Sequence, residues 1–337
     1  MLAGSHFAAR PVAAMAAAGL VGALTLGVAA AQGSADAQSY PNRTVRIVVP
    51  FPAGGPTDIL SRVVAQRLSE VWGQPVVIEN QPGANTAIAA ARVAKLPADG
   101  YTLFAVMDVT MVLNPITNKN LLYDPLKDFA PITLASKNTS LLSVRAEDGP
   151  KTVQELIARA KANPGKLNYG AGIITTRLAG YLFNREAGIE VQYIPFSGSA
   201  PTVQGLLTGA VDYIVDGAAT SLPLIRSGKL RALAKLNSRP LPALPDVRPL
   251  AVEAGIPALD DISTWIGFVA PAGTPRGIVD KVQGEIVKMY ADPIIADKLE
   301  KAGISAVTST PEEFATFVRK EQDRWGQVFK DSGIQLN

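Results

Sequence analysis

The chain lacks cysteine altogether and has a single histidine, His6, among its 337 residues. The absence of cysteine excludes disulfides, thiol nucleophiles and thiolate metal sites. His6 lies in an N-terminal segment that we expect to be removed, so the mature chain would have no imidazole for a catalytic triad, a general base or a metal site. We therefore expect neither a metal nor a cofactor.

Charge is also scarce: charged residues make up 18% of the chain, and the formal net charge is +3. No basic tract stands out, so nucleic acid is not an expected partner. A mild positive balance is compatible with an anionic ligand. Beyond the N-terminal segment, roughly 300 residues remain, which is enough for two lobes that each have a hydrophobic core.

An apolar run extends from Val12 to Ala31 and follows Arg10. Small residues precede Gln32 and Gln38, so cleavage is expected after Ala31 or after Ala37. This pattern is typical of an export signal, here residues 1–37, and predicts a periplasmic mature protein. A membrane anchor is the alternative, because the run reaches the roughly twenty residues that a span needs.

The most informative stretch runs from Val45 to Gly73. Alternating residues predict a strand over Val45–Val49, and the apolar spacing that follows predicts a helix with Pro56 at its first position and Gly73 at its end. Gly54 and Gly55 allow a tight turn between strand and helix. The helix would present unpaired N–H groups beyond the strand, where a small anion can bind without a cationic side chain.

The mature chain continues in an alternating strand and helix order. Strands are predicted at Val76–Glu79 and Tyr101–Val106, with a helix over Thr86–Lys95 between them. This order indicates an α/β protein with a parallel, doubly wound sheet, whose ligands bind beyond the carboxyl ends of the strands. The loop Met107–Thr110, which contains Asp108, should therefore line the same crevice as Ala53–Thr57.

A second unit repeats the pattern. The predicted strands and helices are Leu141–Val144, Val153–Ala162, Leu167–Tyr169, Arg177–Glu186, Val191–Pro195, Pro201–Thr208, Val211–Val215, Ser221–Ser227 and Leu230–Leu236. The proline-rich stretch Ser238–Pro257 is interpreted as a surface connection. A strand at Thr264–Val269 and helices at Pro275–Tyr290, Ile294–Lys301 and Phe314–Phe329 follow. Capping boxes at Thr152–Glu155 and Thr310–Glu313 mark two helix starts.

Three motifs, PFPAGGPTDILSR, GQPVVIENQPGA and ADGYTL, occur in this order near the start of the mature chain. Together they resemble the Bug proteins, and the resemblance extends from Tyr40 to Asn337. It implies a two-lobed periplasmic substrate-binding component of a tripartite tricarboxylate transporter, acting as a monomer with integral-membrane partners. It also implies that residues 40–138 and 264–337 form one lobe and residues 139–263 the other, with crossings near 135–139 and 261–264.

The first half of the expected ligand site is the turn after the first strand. Backbone N–H groups of Ala53, Gly54, Gly55 and Thr57 are predicted to hold a ligand carboxylate, directly or through water. A turn needed only for chain connection is the alternative. Asp58, in the first helical turn, is expected to stabilise the helix dipole and not to face an anionic ligand.

The second half is the loop Gly170–Thr176, from which Gly172, Thr175 and Thr176 are candidates for anion contact or helix capping. Bug sequences usually have a serine near Ala171 and a histidine near Arg177, and this chain departs from both. Arg177 is predicted either to contact a carboxylate or to lie on the helix surface.

Further candidates precede or end other elements. Ser197 and Ser199 lead into a helix, as ligand donors or as N-caps, and Asp216 ends a strand at a crevice position. Phe51 and Trp265 could provide apolar walls, although core packing is the commoner role for both. The predicted ligand-binding set is Phe51, Ala53, Gly54, Gly55, Thr57, Asp108, Gly172, Thr175, Thr176, Arg177, Ser197, Ser199 and Asp216.

These features favour a receptor whose two lobes close on a small organic carboxylate, such as a di- or tricarboxylate or an aromatic acid, and carry out no chemistry. A receptor subunit that feeds a signalling system is an alternative that needs the same closure. An enzyme that uses Asp58, Asp108 or Asp216 is a further alternative, since paired carboxylates can act without histidine. No sequence feature pairs these carboxylates.

Overall fold

The computed structural model describes residues 1–2, 4, 39–259 and 262–332. The predicted signal lies outside these residues apart from positions 1, 2 and 4, and so do both candidate cleavage sites and Asp261 at the second predicted crossing. Within the described ranges, no helix has the length and apolar character that a membrane span requires.

The chain forms two α/β lobes in sequence order. It begins with β1 (Val45–Val49), α1 (Pro56–Trp72), β2 (Val76–Asn80), α2 (Ala87–Val93), β3 (Thr102–Met107), α3 (Asn114–Thr117) and β4 (Phe129–Asn138). It continues with β5 (Ser140–Arg145), α4 (Val153–Ala162), β6 (Asn168–Ala171), α5 (Ile174–Glu186), β7 (Gln192–Pro195), α6 (Ser199–Leu207), β8 (Tyr213–Gly217), α7 (Ala218–Arg226) and β9 (Leu230–Lys235). It then forms α8 (Leu250–Ala254), β10 (Thr264–Pro271), α9 (Arg276–Tyr290), α10 (Pro293–Lys301) and α11 (Pro311–Ser332).

Each lobe is built on a five-stranded sheet, in the order β2-β1-β3-β10-β4 in the first and β7-β6-β8-β5-β9 in the second. Both sheets have the same pairing pattern. β1 pairs in parallel with β2 and β3, and β6 does so with β7 and β8. The remaining neighbours pair antiparallel. The expected parallel units are thus present, and each is extended on one side into a mixed sheet.

The lobes join where β4 leads directly into β5, with Thr139 between them. The returning chain is tied to this crossing by buried side chains, since Asn237 Nδ2 lies 3.3 Å from Thr139 Oγ1 and 3.2 Å from Ser263 Oγ. These contacts form a compact hinge beside the start of β10.

Helix α1 follows the predicted pattern closely. Gly55 is its N-cap, Pro56 is its first residue, and Gly73 ends it in the left-handed conformation with φ of 63°. Leu60, Val64 and Leu68 are fully buried against β1. Both capping boxes also form the expected bond from the third helical residue, with Glu155 N–H donating to Thr152 Oγ1 and Glu313 N–H to Thr310 Oγ1.

Several predicted elements need correction. The loop predicted at Met107–Thr110 is largely helical, because a wide helical turn over Val109–Leu113 follows Asp108 and leads into α3. The loop predicted at Gly170–Thr176 is shorter, since β6 extends to Ala171 and α5 begins at Ile174. Asp216 lies within β8 and pairs with Leu141 of β5. Strand β4 and helix α8 were not predicted.

Candidate functional site

The turn after β1 faces the turn before α6 across the cleft between the lobes. A Cβ built on Gly54 would lie 3.7 Å from Ala200 Cβ, and one on Gly55 would lie 3.9 Å from Ser199 Cβ. Gly198, with φ of 136°, lies against Pro52 in the same way. The lobes are therefore in contact along this edge.

An inner pocket with an empty volume of about 430 Å³ lies between these turns. It is lined by Phe51, Pro52, Gly55, Pro56, Thr57, Met107, Ile173, Thr176, Ser199, Ala200, Pro201, Gly217 and Thr264. None of these side chains is charged, although the pocket lies where the sequence predicts an anion.

Helix N-termini give this pocket its electrostatic character. Helix α1 begins at Pro56, α5 at Ile174 and α6 at Ser199, and each first turn contributes lining residues. Amides in the first turn of a helix have no intrahelical acceptor and carry the positive end of the helix dipole. Helix α7 also begins here, but its first amide, Ala218 N–H, donates to Thr139 O at 2.9 Å. Three helix ends therefore supply donors without any ammonium or guanidinium group.

The hydroxyl groups of the pocket are mostly engaged within the protein. Thr57 Oγ1 donates to Met107 Sδ at 3.0 Å, and Thr176 Oγ1 donates to Ile173 O at 3.1 Å. The Ser199 hydroxyl bonds to the carboxylate of Asp216. Each hydroxyl has one hydrogen. A bound anion would therefore depend on backbone amides, and the threonine hydroxyls neither donate to it nor form a side-chain N-cap of α5.

Gly54 differs from the expectation for the first half-site. Its N–H donates to Asp58 Oδ2 at 2.9 Å, so this amide already has an acceptor. The Asp58 carboxylate also accepts bonds from Arg62 and Asn80. Burial raises the pKa of Asp58, but the bonds from Arg62, Gly54 and Asn80 outweigh it and lower the pKa below the usual value. Asp58 thus supports the turn, which agrees with its expected structural role.

Asp108 lies at the end of β3 and is fully buried. Its Oδ2 accepts a hydrogen bond from the hydroxyl of Thr175, a residue of the opposite lobe. Burial raises the pKa of Asp108 to about 7, against the lowering effect of the Thr175 bond and with a further rise from the charge of Glu321. This contact is a direct polar link between the lobes, and neither residue lines the inner pocket.

Asp216 is a second buried carboxyl in the cleft region. Burial raises its pKa to about 7, while bonds from Ser199 and the Gly217 backbone lower it. Among the described residues, neither Oδ2 of Asp216 nor Oδ1 of Asp108 has a hydrogen-bond partner. No group of three or more acidic, histidine or cysteine side chains in the described ranges is arranged to hold a metal.

Arg177 takes the surface role among its two predicted alternatives. Its guanidinium lies 4.8 Å from the centroid of the Tyr193 ring, and the residue lines neither cleft pocket. Trp265 is likewise outside the cleft, buried against Phe314 and Phe317 at centroid distances of 5.6 and 5.4 Å.

An outer pocket with an empty volume of about 610 Å³ adjoins the inner one through Phe51 and Ile173. Its other lining residues are Pro50, Gly83, Ala84, Asn85, Thr86, Val109, Gly172, Pro195, Phe196 and Ser197. None of them is charged, and Phe51, Phe196 and Val109 give it apolar walls.

One wall of the outer pocket is strained. Ala84, Asn85 and Thr86 have positive φ values of 45°, 49° and 75°, a conformation that side chains other than glycine rarely adopt. Asn114 holds this wall by donating from Nδ2 to Asn85 O at 2.7 Å. Such strain persists only where surrounding bonds enforce it, and it is concentrated at functional sites.

Gly172 explains its own residue type. A Cβ at this position would lie 2.4 Å from the carbonyl carbon of Gly198, closer than real Cβ contacts. The turn after β6 and the turn before α6 can therefore touch only if residue 172 is glycine.

The pockets contain part of the predicted site. Phe51, Gly55, Thr57, Thr176 and Ser199 line the inner pocket, and Phe51, Gly172 and Ser197 line the outer one. The predicted residues that line neither are Ala53, Gly54, Asp108, Thr175, Arg177 and Asp216. Sequence reasoning missed Met107, Ile173 and the strained wall. The motif GQPVVIENQPGA ends in that wall and was the available signal.

The fold and the cleft define a two-lobed α/β protein of the periplasmic-binding-protein type, with its pockets between the lobes. The profile described as "Tripartite tricarboxylate transporter family receptor" matches residues 60–334, and the chain belongs to this family. The predicted Bug resemblance and fold class are thereby confirmed. Family and fold are those of solute-binding receptors and not of enzymes, and members of the family are periplasmic binding proteins.

Similar proteins agree with this assignment. BugT of Bordetella pertussis is 33% identical over 319 residues, covering 93% of this chain and 95% of BugT. The structure of R. palustris Rpa4515 with adipate has a TM-score of 0.84 and 35% identity, covering 88% of this chain and 99% of that one. MatC from Rhodopseudomonas palustris with bound malate has a TM-score of 0.79 and 33% identity, covering 86% and 99%.

Proposed function

We propose that this receptor captures a small organic carboxylate in the periplasm by closing its two lobes, and delivers it as a monomer to the membrane subunits of a tripartite transporter. The carboxylate would lie in the inner pocket, at the first turns of α1, α5 and α6. The predicted signal peptide would direct export and then be removed.

The convergence of three helix N-termini on one uncharged pocket is the observation that carries this proposal. Backbone amides and helix dipoles favour negative charge without a cation. The adipate and malate in the similar structures are both carboxylates, which supports the same chemistry here.

The outer pocket would accommodate the remainder of the ligand. Its lining offers no charged side chain and two phenylalanines, Phe51 and Phe196. A chain or ring attached to the carboxylate could therefore extend through the opening beside Phe51.

Ala200 allows a direct test, because it lines the inner pocket in the first turn of α6. An Ala200→Asp variant would place its own carboxylate at the helix end, where it favours the fold through the dipole but competes with a ligand anion. Ala200→Asn has nearly the same shape without the charge, so it is the matched control.

Binding would be measured by calorimetry over mono-, di- and tricarboxylates, with the methyl ester or amide of each ligand that binds. We expect binding by acids and not by their esters, and at least a tenfold larger loss for Ala200→Asp than for Ala200→Asn, equivalent to about 1.4 kcal/mol. Equal effects of the two substitutions, or equal binding of acid and ester, would contradict anion capture at this pocket.

A further inference from the structure

A third pocket, with an empty volume of about 320 Å³, lies at the hinge. Lys137 on β4 and Arg324 on α11 reach it from the first lobe, and Arg239, which follows β9, reaches it from the second. Ser263, which bonds to Asn237 in the hinge, also lines it. Cationic side chains from both sides of the hinge therefore meet in one place.

The charges in this pocket are unbalanced. Three cationic side chains line it with a single carboxylate, Glu321, so two positive charges are in excess. Glu321 Oε1 pairs with Arg324 Nε at 3.1 Å. Lys137 Nζ lies 4.6 Å from the centroid of the Phe317 ring, on an aromatic wall of the same pocket. Like charges held together disfavour each other unless an anion joins them.

Trp265 provides an independent observation. It lines the pocket with 1% of its surface exposed, and its indole N–H has no hydrogen-bond acceptor among the described residues. A buried donor without an acceptor costs free energy, and the indole can only donate. An oxygen acceptor in the pocket would remove this cost.

We propose that the hinge pocket binds a small oxyanion of the sulfate or phosphate type, held by Lys137, Arg239 and the indole N–H of Trp265. This site is separate from the cleft, and its ligand would be distinct from the transported carboxylate. The anion would join a cation of the second lobe to one of the first and so favour one hinge geometry.

The position of the pocket connects it to the cleft. Thr264 lines the inner cleft pocket and Trp265 lines the hinge pocket, and neighbouring residues of a strand point to opposite faces of the sheet. The charge of Glu321 is also felt at Asp108, whose pKa it raises. Occupancy of the hinge site should therefore change the affinity of the cleft, and the effect is reciprocal.

The test titrates sodium sulfate at constant ionic strength and follows the indole ¹H–¹⁵N resonances, with Trp265 assigned by a Trp265→Phe variant. We expect a saturable shift of the Trp265 resonance in the wild-type protein that chloride does not produce. Lys137→Met and Arg239→Gln should each weaken sulfate binding at least tenfold. Arg319→Gln, an exposed position on the same helix as Glu321, is the matched control and should leave it unchanged.

The cleft also attracts anions, so Ala200→Asp serves as the second control and should retain sulfate binding at the hinge. Loss of the Trp265 shift in Ala200→Asp would assign the anion to the cleft and overturn the proposal. A shift that stays linear in sulfate, that is absent, or that is equal in Lys137→Met and Arg319→Gln would also overturn it. None of these results would affect carboxylate binding in the cleft, so the two proposals fail separately.

Discussion

At the scale of single residues, the turn after β1 depends on Asp58. Its buried carboxylate accepts the Gly54 N–H and two bonds from the Arg62 guanidinium. The residue that appears in the sequence as a simple dipole partner thus also fixes the shape of the turn that lines the inner pocket.

We expect Asp58→Ala to lower the free energy of unfolding by about 1–3 kcal/mol, because buried partners of a charged group lose their acceptor. Urea unfolding at neutral pH measures this. Glu70→Ala, which removes an exposed bond with Gln66 on the same helix, should change stability by less than about 0.5 kcal/mol. Since the pKa of Asp58 is lowered in the folded state, its contribution is present above the unfolded value of about 3.8 and is lost as the pH falls further.

The buried carboxyls of Asp108 and Asp216 have the opposite pH dependence. The pKa of each is raised by burial to about 7, so the folded protein binds protons that the unfolded chain releases above about pH 4. Stability contributed by these groups is complete below the unfolded pKa and is lost as the pH rises towards 7.

Asp216→Asn should remove part of this dependence. We expect the wild-type protein to lose about 1–4 kcal/mol more stability than Asp216→Asn between pH 4.5 and pH 8, measured by urea unfolding at both pH values. Asp246→Asn, at an exposed carboxylate, is the control and should follow the wild type. Parallel curves for wild type and Asp216→Asn would show that Asp216 is not held protonated by burial.

At the scale of secondary-structure elements, glycines determine how closely the turns approach. Gly172→Ala would bring a Cβ to 2.4 Å from the backbone of Gly198 and should separate the turns that line the pockets. Gly284 lies within α9 with no atom within 4 Å of an added Cβ. Gly284→Ala should therefore stabilise the protein by about 0.5–1 kcal/mol, whereas Gly172→Ala should destabilise it by about 1–3 kcal/mol and weaken ligand binding. Thermal unfolding and calorimetry distinguish the two.

The apolar wall of the outer pocket yields a prediction on ligand length. Phe196→Ala should weaken carboxylates with an extended or aromatic group by about 1–3 kcal/mol and affect acetate-sized acids little, because only the longer ligands reach this wall. Phe329→Ala, at a distant position on α11, tests for general destabilisation. A uniform loss across ligand lengths would show that Phe196 acts on the inner pocket instead.

Elements with local signals could be predicted from the sequence, and those without could not. β1, α1 and the start of α11 have alternation, Pro56 at the first helical position and a Thr310–Glu313 capping box, all of which depend on neighbouring residues only. β4 is buried on both faces and therefore shows no clean alternation. Helix α5 begins without a side-chain cap, which explains why Thr175 and Thr176 were predicted in a loop.

The site divides in the same way. The glycine turns could be recognised locally, and Phe51, Gly55 and Gly172 do line the pockets. The engagement of hydroxyls and of the Gly54 N–H depends on partners that folding brings together, such as the Thr175–Asp108 pair across the lobes. Sequence spacing contains no information on such pairs.

At the scale of the whole molecule, the contact between the lobes is the property on which capture depends. The hydroxyl of Thr175 reaches the buried Asp108 only when the two lobes meet. Ligand binding and this hydrogen bond should therefore favour the same closed conformation, and removal of the bond should shift the population towards the open one.

We expect Thr175→Val to weaken ligand affinity by about 1–2 kcal/mol, roughly 5–30-fold, because closure would then leave the buried Asp108 carboxyl without this partner. Thr175 lines neither pocket, so the loss should appear equally for every ligand, unlike the length-dependent loss in Phe196→Ala. Small-angle scattering should show a larger radius of gyration for the ligand-free variant than for the wild type, and the same radius for both at ligand saturation. Thr208→Val removes an exposed hydroxyl that bonds only within its own helix end, so it should behave as wild type. If Thr175→Val left affinity and compaction unchanged, the hydrogen bond to Asp108 would not stabilise the closed conformation, and closure would depend on the ligand and the glycine turns alone.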